Sequence, residues 1–201
     1  MELPLFALHS VLFPGGDLEL QVFEERYLRM MEDVLPKAPF AIAAIRHGRE
    51  VGGPYDPYRV GVRVVPVDFE LGDDGTYLVH VRAEERIRLR EPSADGPYPR
   101  WRVEPFPELG LVDPDVSDAA ITTAVTAAVR FLGVAGVKGD LEVGHDPVAM
   151  SYMLCALTPG LVPDRQAFLE IPGTAERLAG LTRRFRQEAA LLRALRARRG
   201  S

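Results

Sequence analysis

The first half of the chain is built from short runs in which apolar and polar positions alternate. Val60, Val62 and Val64 alternate with Arg59, Gly61 and Arg63, and Tyr77, Val79 and Val81 alternate with Leu78, His80 and Arg82. Ile87 and Leu89 alternate with Arg86, Arg88 and Arg90, and Trp101 and Val103 are flanked by Arg100, Arg102 and Glu104. A period of two predicts strands with one buried face. Gly72-Asp73-Asp74-Gly75 lies between two of these runs, and its Asp-Gly pair predicts the positive-φ positions of a tight hairpin. Leu3, Leu5, Leu8, Val11 and Phe13 read as core positions of a first strand, with Pro14-Gly15-Gly16 as its turn. Many short strands with frequent turns favour a barrel or sandwich over a doubly wound sheet. One helix interrupts this half: Tyr27, Met31, Val34 and Leu35 fall at helical spacing between Glu24 and Pro36.

Beyond Val112 the pattern becomes helical. Ser117 is placed to cap a helix running to Leu132, with Gly133 as its stop. Asp146-Pro147 pairs a capping carboxylate with a proline at the first helical position and opens a helix to about Leu157. Pro163-Asp164 opens a short helix through Leu169, and Thr174 begins a last helix of roughly 25 residues, about 37 Å long. Leu178, Leu181, Phe185, Leu192 and Leu195 form its apolar stripe, which leaves most of its arginines to solvent. The proline-bearing segment 105–116 separates two expected domains, a β-rich one over residues 1–112 and a helical one over 113–201.

Composition narrows the classes. The chain is 47% apolar and 26% charged, the balance of a globular rather than a disordered protein. No uninterrupted apolar run approaches the roughly 18 residues that span a bilayer. The opening Met1-Glu2-Leu3-Pro4-Leu5 lacks the basic flank of a secretory signal. A single cysteine, Cys155, excludes an internal disulfide and suits a reducing compartment, so a cytoplasmic location without a membrane partner is expected. Net charge is −5, yet residues 174–201 hold eight arginines against Glu176 and Glu188, a balance of +6 that leaves −11 on the rest. The acidic body disfavours nucleic acid, which would sit on the last helix if it bound at all.

Catalytic chemistry has no candidate constellation. Gly133 to Asp140 has the wrong spacing and final residue for a phosphate loop. His9, His47, His80 and His145 are dispersed, with no pair at metal-ligand spacing. Cys155 sits in an apolar run, and Ser10 and Ser151 lack the glycines of a nucleophile elbow. No enzyme activity, no cofactor and no metal are expected.

The opening block is distinctive. Leu3-Pro4-Leu5-Phe6-Ala7-Leu8, then Val11-Leu12-Phe13-Pro14-Gly15, then Val22-Phe23-Glu24-Glu25-Arg26-Tyr27 resembles the start of the N-terminal, substrate-recognition domain of Lon proteases. Ala7 and Glu25 depart from that pattern. Glu50-Val51-Gly52-Gly53, Arg59-Val60-Gly61, Asp74-Gly75-Thr76-Tyr77, Trp101 to Pro105, Ser151-Tyr152 and Asp164 to Glu170 extend the resemblance over nearly the whole chain. It implies an α+β fold, a PUA-like N-terminal β-barrel followed by a C-terminal α-helical subdomain ending in a long helix. Full Lon proteases continue past such a domain into a motor and a Ser-Lys protease, whose residues do not occur among these 201.

The function implied is non-catalytic recognition of unfolded or client polypeptides, as an adaptor or chaperone-like factor. Partners would be client chains, with a protease or chaperone as an associate and a weak homodimer as a further possibility. RNA binding by the PUA-like fold is the alternative, and an unrecognised hydrolase a third reading. Binding loose apolar side chains needs exposed apolar surface with a polar rim. Loop aromatics are the candidates: Phe13, Tyr55, Tyr58, Phe69 and Tyr98, with Tyr55 and Tyr58 foremost. Each also reads as an ordinary packing residue.

Overall fold

A computed structural model of the chain describes residues 1–93, 96–109, 114–137 and 141–199, with the side chains of 114–117 and 199 left aside. In chain order the elements are β1 (Glu2–Leu8), β2 (Asp17–Val22), α1 (Glu25–Val34), β3 (Phe40–Gly48), β4 (Tyr55–Pro57), β5 (Val60–Leu71), β6 (Tyr77–Pro92), β7 (Arg100–Pro105), α2 (Pro114–Ala135), α3 (Pro147–Ala156), α4 (Val162–Glu170) and α5 (Thr174–Arg199). They divide into two compact units: Met1–Pro107 with Val162–Glu170, and Glu108–Leu161 with Ile171–Ser201. The boundary expected between 112 and 113 lies outside the described residues.

In the first unit, β1 pairs antiparallel with β7 and parallel with β3, so the ring β1-β7-β6-β5-β3 closes on itself. Closure removes free edges from the ring. β2 hangs on the distal part of β6, and β4 on β3. Alternate positions fill one core cluster: Leu3 and Leu5, Ala41 and Ala43, Ile87 and Leu89, Trp101 and Val103. Small side chains on β3 let β5 come close. At Gly61 an added Cβ would lie 2.4 Å from the Ile42 carbonyl oxygen, so this position accepts only glycine without a backbone shift. The hairpin between β5 and β6 turns as expected, but only Gly75 takes a positive φ, at 79°. Its N–H donates to the Gly72 carbonyl, and the Asp74 carboxylate accepts from the Thr76 N–H and hydroxyl. Asp74 thus acts through its side chain rather than through a left-handed backbone.

Helix α1 buries Tyr27, Met30, Met31 and Val34, and the Tyr27 ring stacks on Phe6 at 4.1 Å. Helix α4, expected with the helical half, belongs to the strand unit. Gln166 Nε2 donates to the Val60 carbonyl at 2.9 Å, and Arg86 Nη1 donates to the Leu169 carbonyl at 2.9 Å. Both polar side chains are buried, and each donates to a main-chain carbonyl, Gln166 to one on β5 and Arg86 to one in the last turn of α4.

The second unit packs α2 and α3 against α5. Helix α2 begins at Pro114, upstream of Ser117, and runs through Gly133. Its end is Gly136 at φ 83°, where the Val137 N–H reaches the Leu132 carbonyl and the Gly136 N–H reaches that of Gly133. That is a glycine cap three residues beyond the expected stop, because, of Gly133 and Gly136, it is Gly136 whose φ is left-handed. Asp146 caps α3 by accepting from the Val148 N–H, as expected. On α5, Leu178, Leu181 and Phe185 are buried, Leu192 is half-buried and Leu195 is exposed, so the stripe is covered only along its first three turns. By length and composition alone, Asp118–Ala135 could cross a membrane. Its Ile121, Ala124, Val125, Ala128 and Phe131 are buried in this unit, with Phe131 5.6 Å from Phe185.

One residue of α5 departs from the solvated-arginine expectation. Arg177 is 0% exposed. Its Nε donates to Ser151 Oγ, its Nη1 to the Ile171 carbonyl and its Nη2 to Glu108 Oε2, at 2.8, 2.9 and 2.8 Å. The guanidinium lies 4.1 Å from the Tyr152 ring centroid. Tyr152 and Thr174 also donate to Glu108. A guanidinium this deep persists because its fork is met by acceptors on several sides.

Candidate polypeptide-binding cleft

The strand unit carries a cleft of about 330 Å³ between the end of β1 and β2. It forms because the chain leaves β1 at Leu8, turns at Gly15 and Gly16 where the Gly15 N–H meets the Ala83 carbonyl, and returns as β2 on β6. Its floor is Phe6 and Tyr27, stacked, with Leu20 and Val22. Its rim is Phe23 and Val51, 52% and 53% exposed, with Glu19, Gln21, His9 and Ser10. An apolar floor with a few polar groups is the usual composition of a ligand site.

The rim is held by ion pairs and main-chain bonds. Glu24 accepts from the Gly52 N–H at 3.1 Å and pairs with Arg26 at 3.0 Å. Arg26 Nη2 donates to the Glu50 carbonyl at 3.2 Å, and the His9 N–H donates to the Glu50 carboxylate at 2.5 Å. The loop bearing Val51 is thereby tied both to the end of β1 and to the start of α1. Burial pushes the Tyr27 phenol above the ordinary tyrosine range, so the floor stays neutral at physiological pH. The carboxylates around the opening are Glu19, Glu24 and Glu50; Arg26 offsets Glu24, and His9 lies beside Glu50.

The five aromatics expected from sequence do not gather here. Phe13 is buried, with the Arg165 guanidinium 5.5 Å from its ring centroid. Tyr98 is buried, and its hydroxyl donates to Asp33 at 2.7 Å while accepting from Arg100 Nη1 at 3.1 Å. Tyr55 is half-buried and packs on the barrel core, and burial beside Tyr27 raises its phenol pKa strongly. Tyr58 is half-buried, with its N–H bonded to the Ala44 carbonyl. These rings end up covered because aromatic side chains bury well wherever a neighbouring element approaches, and Tyr55 stands in β4 rather than in a loop. Phe69 alone is exposed, at 39%. It stands in register with Val79, which stands in register with Leu20, and cross-strand partners share a face. Leu71, Tyr77 and Val22 form the next such row. Phe69 therefore lies on the same apolar sheet face as the cleft floor.

Sequence reasoning missed Phe23 and Val51. Phe23 did leave a signal: Leu18, Leu20 and Val22 set the inward parity, and a phenylalanine follows out of phase, where a polar residue would be ordinary.

A second groove, of about 550 Å³, runs along α2 and α5 in the helical unit. It is lined by Thr122, Thr123 and Thr126 with Arg130, Arg186 and Arg193. Among the described residues, none of these three arginines stands in an ion pair.

Comparison with known proteins agrees with this architecture. A family model described as the ATP-dependent protease La (LON) substrate-binding domain matches residues 2–184. Lon protease 2 of Syntrophobacter fumaroxidans is 29% identical over 180 residues, 87% of this chain and 23% of that protein. Lon protease 1 of Thermus thermophilus is 27% identical over 188 residues, 89% of this chain and 24% of that protein. The chain thus spans about a quarter of the length of these relatives. Among solved structures, a Lon N-terminal domain protein from Xanthomonas campestris superposes with a TM-score of 0.64 at 26% identity, covering 90% of this chain and 96% of that one. The N-terminal domain of Mycobacterium avium complex Lon protease superposes with a TM-score of 0.67 at 16% identity, covering 92% and 98%, and shares the fold. With the α+β architecture and nearly its whole length matched, this chain belongs to the Lon substrate-binding domain family.

Proposed function

We propose that the strand unit captures segments of client polypeptides in the cleft between β1 and β2, as a recognition module that performs no chemistry itself. The observation that carries this reading is a cleft with an apolar floor beneath two exposed hydrophobic rim residues, Phe23 and Val51. A folded chain gains nothing by leaving both uncovered at one opening, whereas an unfolded client brings side chains that cover them. Phe69 and Leu71 extend the same face for a longer segment. The family description, a substrate-binding domain of a protease, supports polypeptide as the ligand class.

The test is titration of fluorescein-labelled unfolded casein. Phe23→Asp with Val51→Asp is expected to weaken capture by about 1–3 kcal/mol, the scale of interface hot spots, and to leave the thermal melt unchanged. Equal affinity of the double variant would remove the cleft from the site. Tyr55→Ala, by contrast, is expected to lower stability, because that ring packs on the barrel core. The purified chain is expected to turn over neither ATP nor casein, and any turnover that copurifies with it would overturn the non-catalytic reading.

The groove of Arg130, Arg186 and Arg193 favours a second reading, an anionic ligand such as RNA on the helical unit. Binding that weakens steeply with salt and is lost on replacing these three arginines would support it.

A further inference from the structure

Six consecutive residues of β2 and its continuation, Leu18 to Phe23, all line the cleft. Side chains of a strand point alternately to opposite faces, so an unbroken run along one wall means that the strand presents its edge rather than a face. Among the described residues, β2 has one partner strand, β6. The bond from the Ala83 N–H to the Gly16 carbonyl sets the phase of that ladder. With the register Leu18↔Val81 and Leu20↔Val79, the residues bonded to β6 are Leu18, Leu20 and Val22. Alternation of an antiparallel ladder then turns the N–H and C=O groups of Asp17, Glu19 and Gln21 to the open side.

Resting on the client-binding reading above, we propose that the cleft takes an extended, cationic-apolar polypeptide segment as an added strand along the open edge of β2. Main-chain groups of the client meet those of Glu19 and Gln21, alternate client side chains drop onto Phe6, Leu20, Val22 and Tyr27, and the intervening ones meet the acidic rim. The length of β2 holds about six client residues at 3.3 Å each. Charge selects the occupant. Asp17 is offset by Arg82 at 2.8 Å and Glu24 by Arg26 at 3.0 Å, but Glu19 has no ion-pair partner among the described residues, and Glu50 at the same opening has a histidine, His9, rather than an arginine beside its carboxylate. A second copy pairing through β2 would bring two acidic rims together, whereas a lysine-bearing segment neutralises one.

The decisive probe is a fluorescein-labelled nonapeptide alternating valine with lysine or threonine, titrated by anisotropy. Two N-methylated forms, one for each alternate set of residues, accompany it. In an added strand only one set of N–H groups faces β2. Methylation of one set is therefore expected to cost at least about tenfold in affinity, since two or three bonds are lost. Methylation of the other set should cost no more than about twofold. Equal effects of the two sets, or none, overturn strand addition. On the protein side, Gln21→Pro removes an N–H on the open side and spares the bonds to β6, so it should weaken the parent peptide at an unchanged melt. If that variant folds poorly, the methylated peptides still decide. Glu19→Lys should weaken the lysine peptide and strengthen a glutamate-substituted one, and no change overturns the charge selection. Failure of the peptide to bind, together with a dimer that Gln21→Pro makes monomeric, would assign the edge to a second copy. Unfolded casein separates the two levels. Casein binding without the methylation asymmetry defeats strand addition alone, and absence of casein binding defeats the client-binding reading.

Discussion

Replacing Arg177 with alanine is expected to cost the helical unit about 3–5 kcal/mol, the range for breaking a buried ion pair from one side. The loss comes from what stays behind. Glu108 keeps its charge without its counter-ion, Ser151 Oγ and the Ile171 carbonyl lose their donor, and the Tyr152 ring loses the cation over its face. Denaturant unfolding followed by helical circular dichroism measures it. Arg177→Met combined with Glu108→Gln should recover much of the loss, since two neutral side chains of similar volume leave no buried charge unpaired. A single alanine variant as stable as the parent would show that the network contributes nothing.

The same network gives a pH dependence. Burial alone would push the Glu108 carboxyl up, but the bonds from Arg177, Tyr152 and Thr174 outweigh it and hold the group below the usual carboxylate range. A depressed folded pKa stabilises above the unfolded value of about 4.5, and that contribution disappears as pH falls through the folded value. The parent should therefore lose stability below about pH 4.5 more steeply than the Arg177→Ala variant, in which Glu108 has lost its strongest reason to stay ionised.

Leu181→Ala is expected to cost about 2–5 kcal/mol, the span of core leucine truncations. Leu181 is 0% exposed and sits between Leu178 and Phe185 on the covered part of α5. Leu195→Ala, four turns further on and 46% exposed, should change stability by less than about 0.5 kcal/mol. The pair makes the test internal: both are leucines of one stripe, and only burial separates them. Equal melting temperatures for parent and Leu181→Ala would contradict the packing of α2 on α5.

Much of the architecture was legible in the residues. The alternation of Val60, Val62 and Val64 and of Val79 and Val81 became buried strand faces, and Asp146-Pro147 became a capped helix start. The site was far less legible. Tyr55, Tyr58, Phe13 and Tyr98 look exposed when each is read as a loop aromatic, yet the core cluster, α4 and Asp33 lie against three of them. Burial depends on neighbours distant in sequence: Tyr98 meets Asp33 across 65 positions and Phe13 meets Arg165 across more than twice that.

By itself the sequence determined where most strands and helices lie, though not β3 nor the end of β1 at Leu8, which faces they bury and, through the opening block of Leu3 to Tyr27, the family. Those signals are local, since a period of two or of 3.6 and a capping pair are complete within a few residues. Tertiary structure alone decided which strands close the ring, that β2 has β6 as its one partner strand among the described residues, that α4 joins the strands, and that Arg177 among eight arginines of the last 28 residues is enclosed. The physical reason is that pairing and enclosure are properties of two segments at once. A strand pairing or a buried guanidinium at position 177 exists only once the segments that meet there have taken their places.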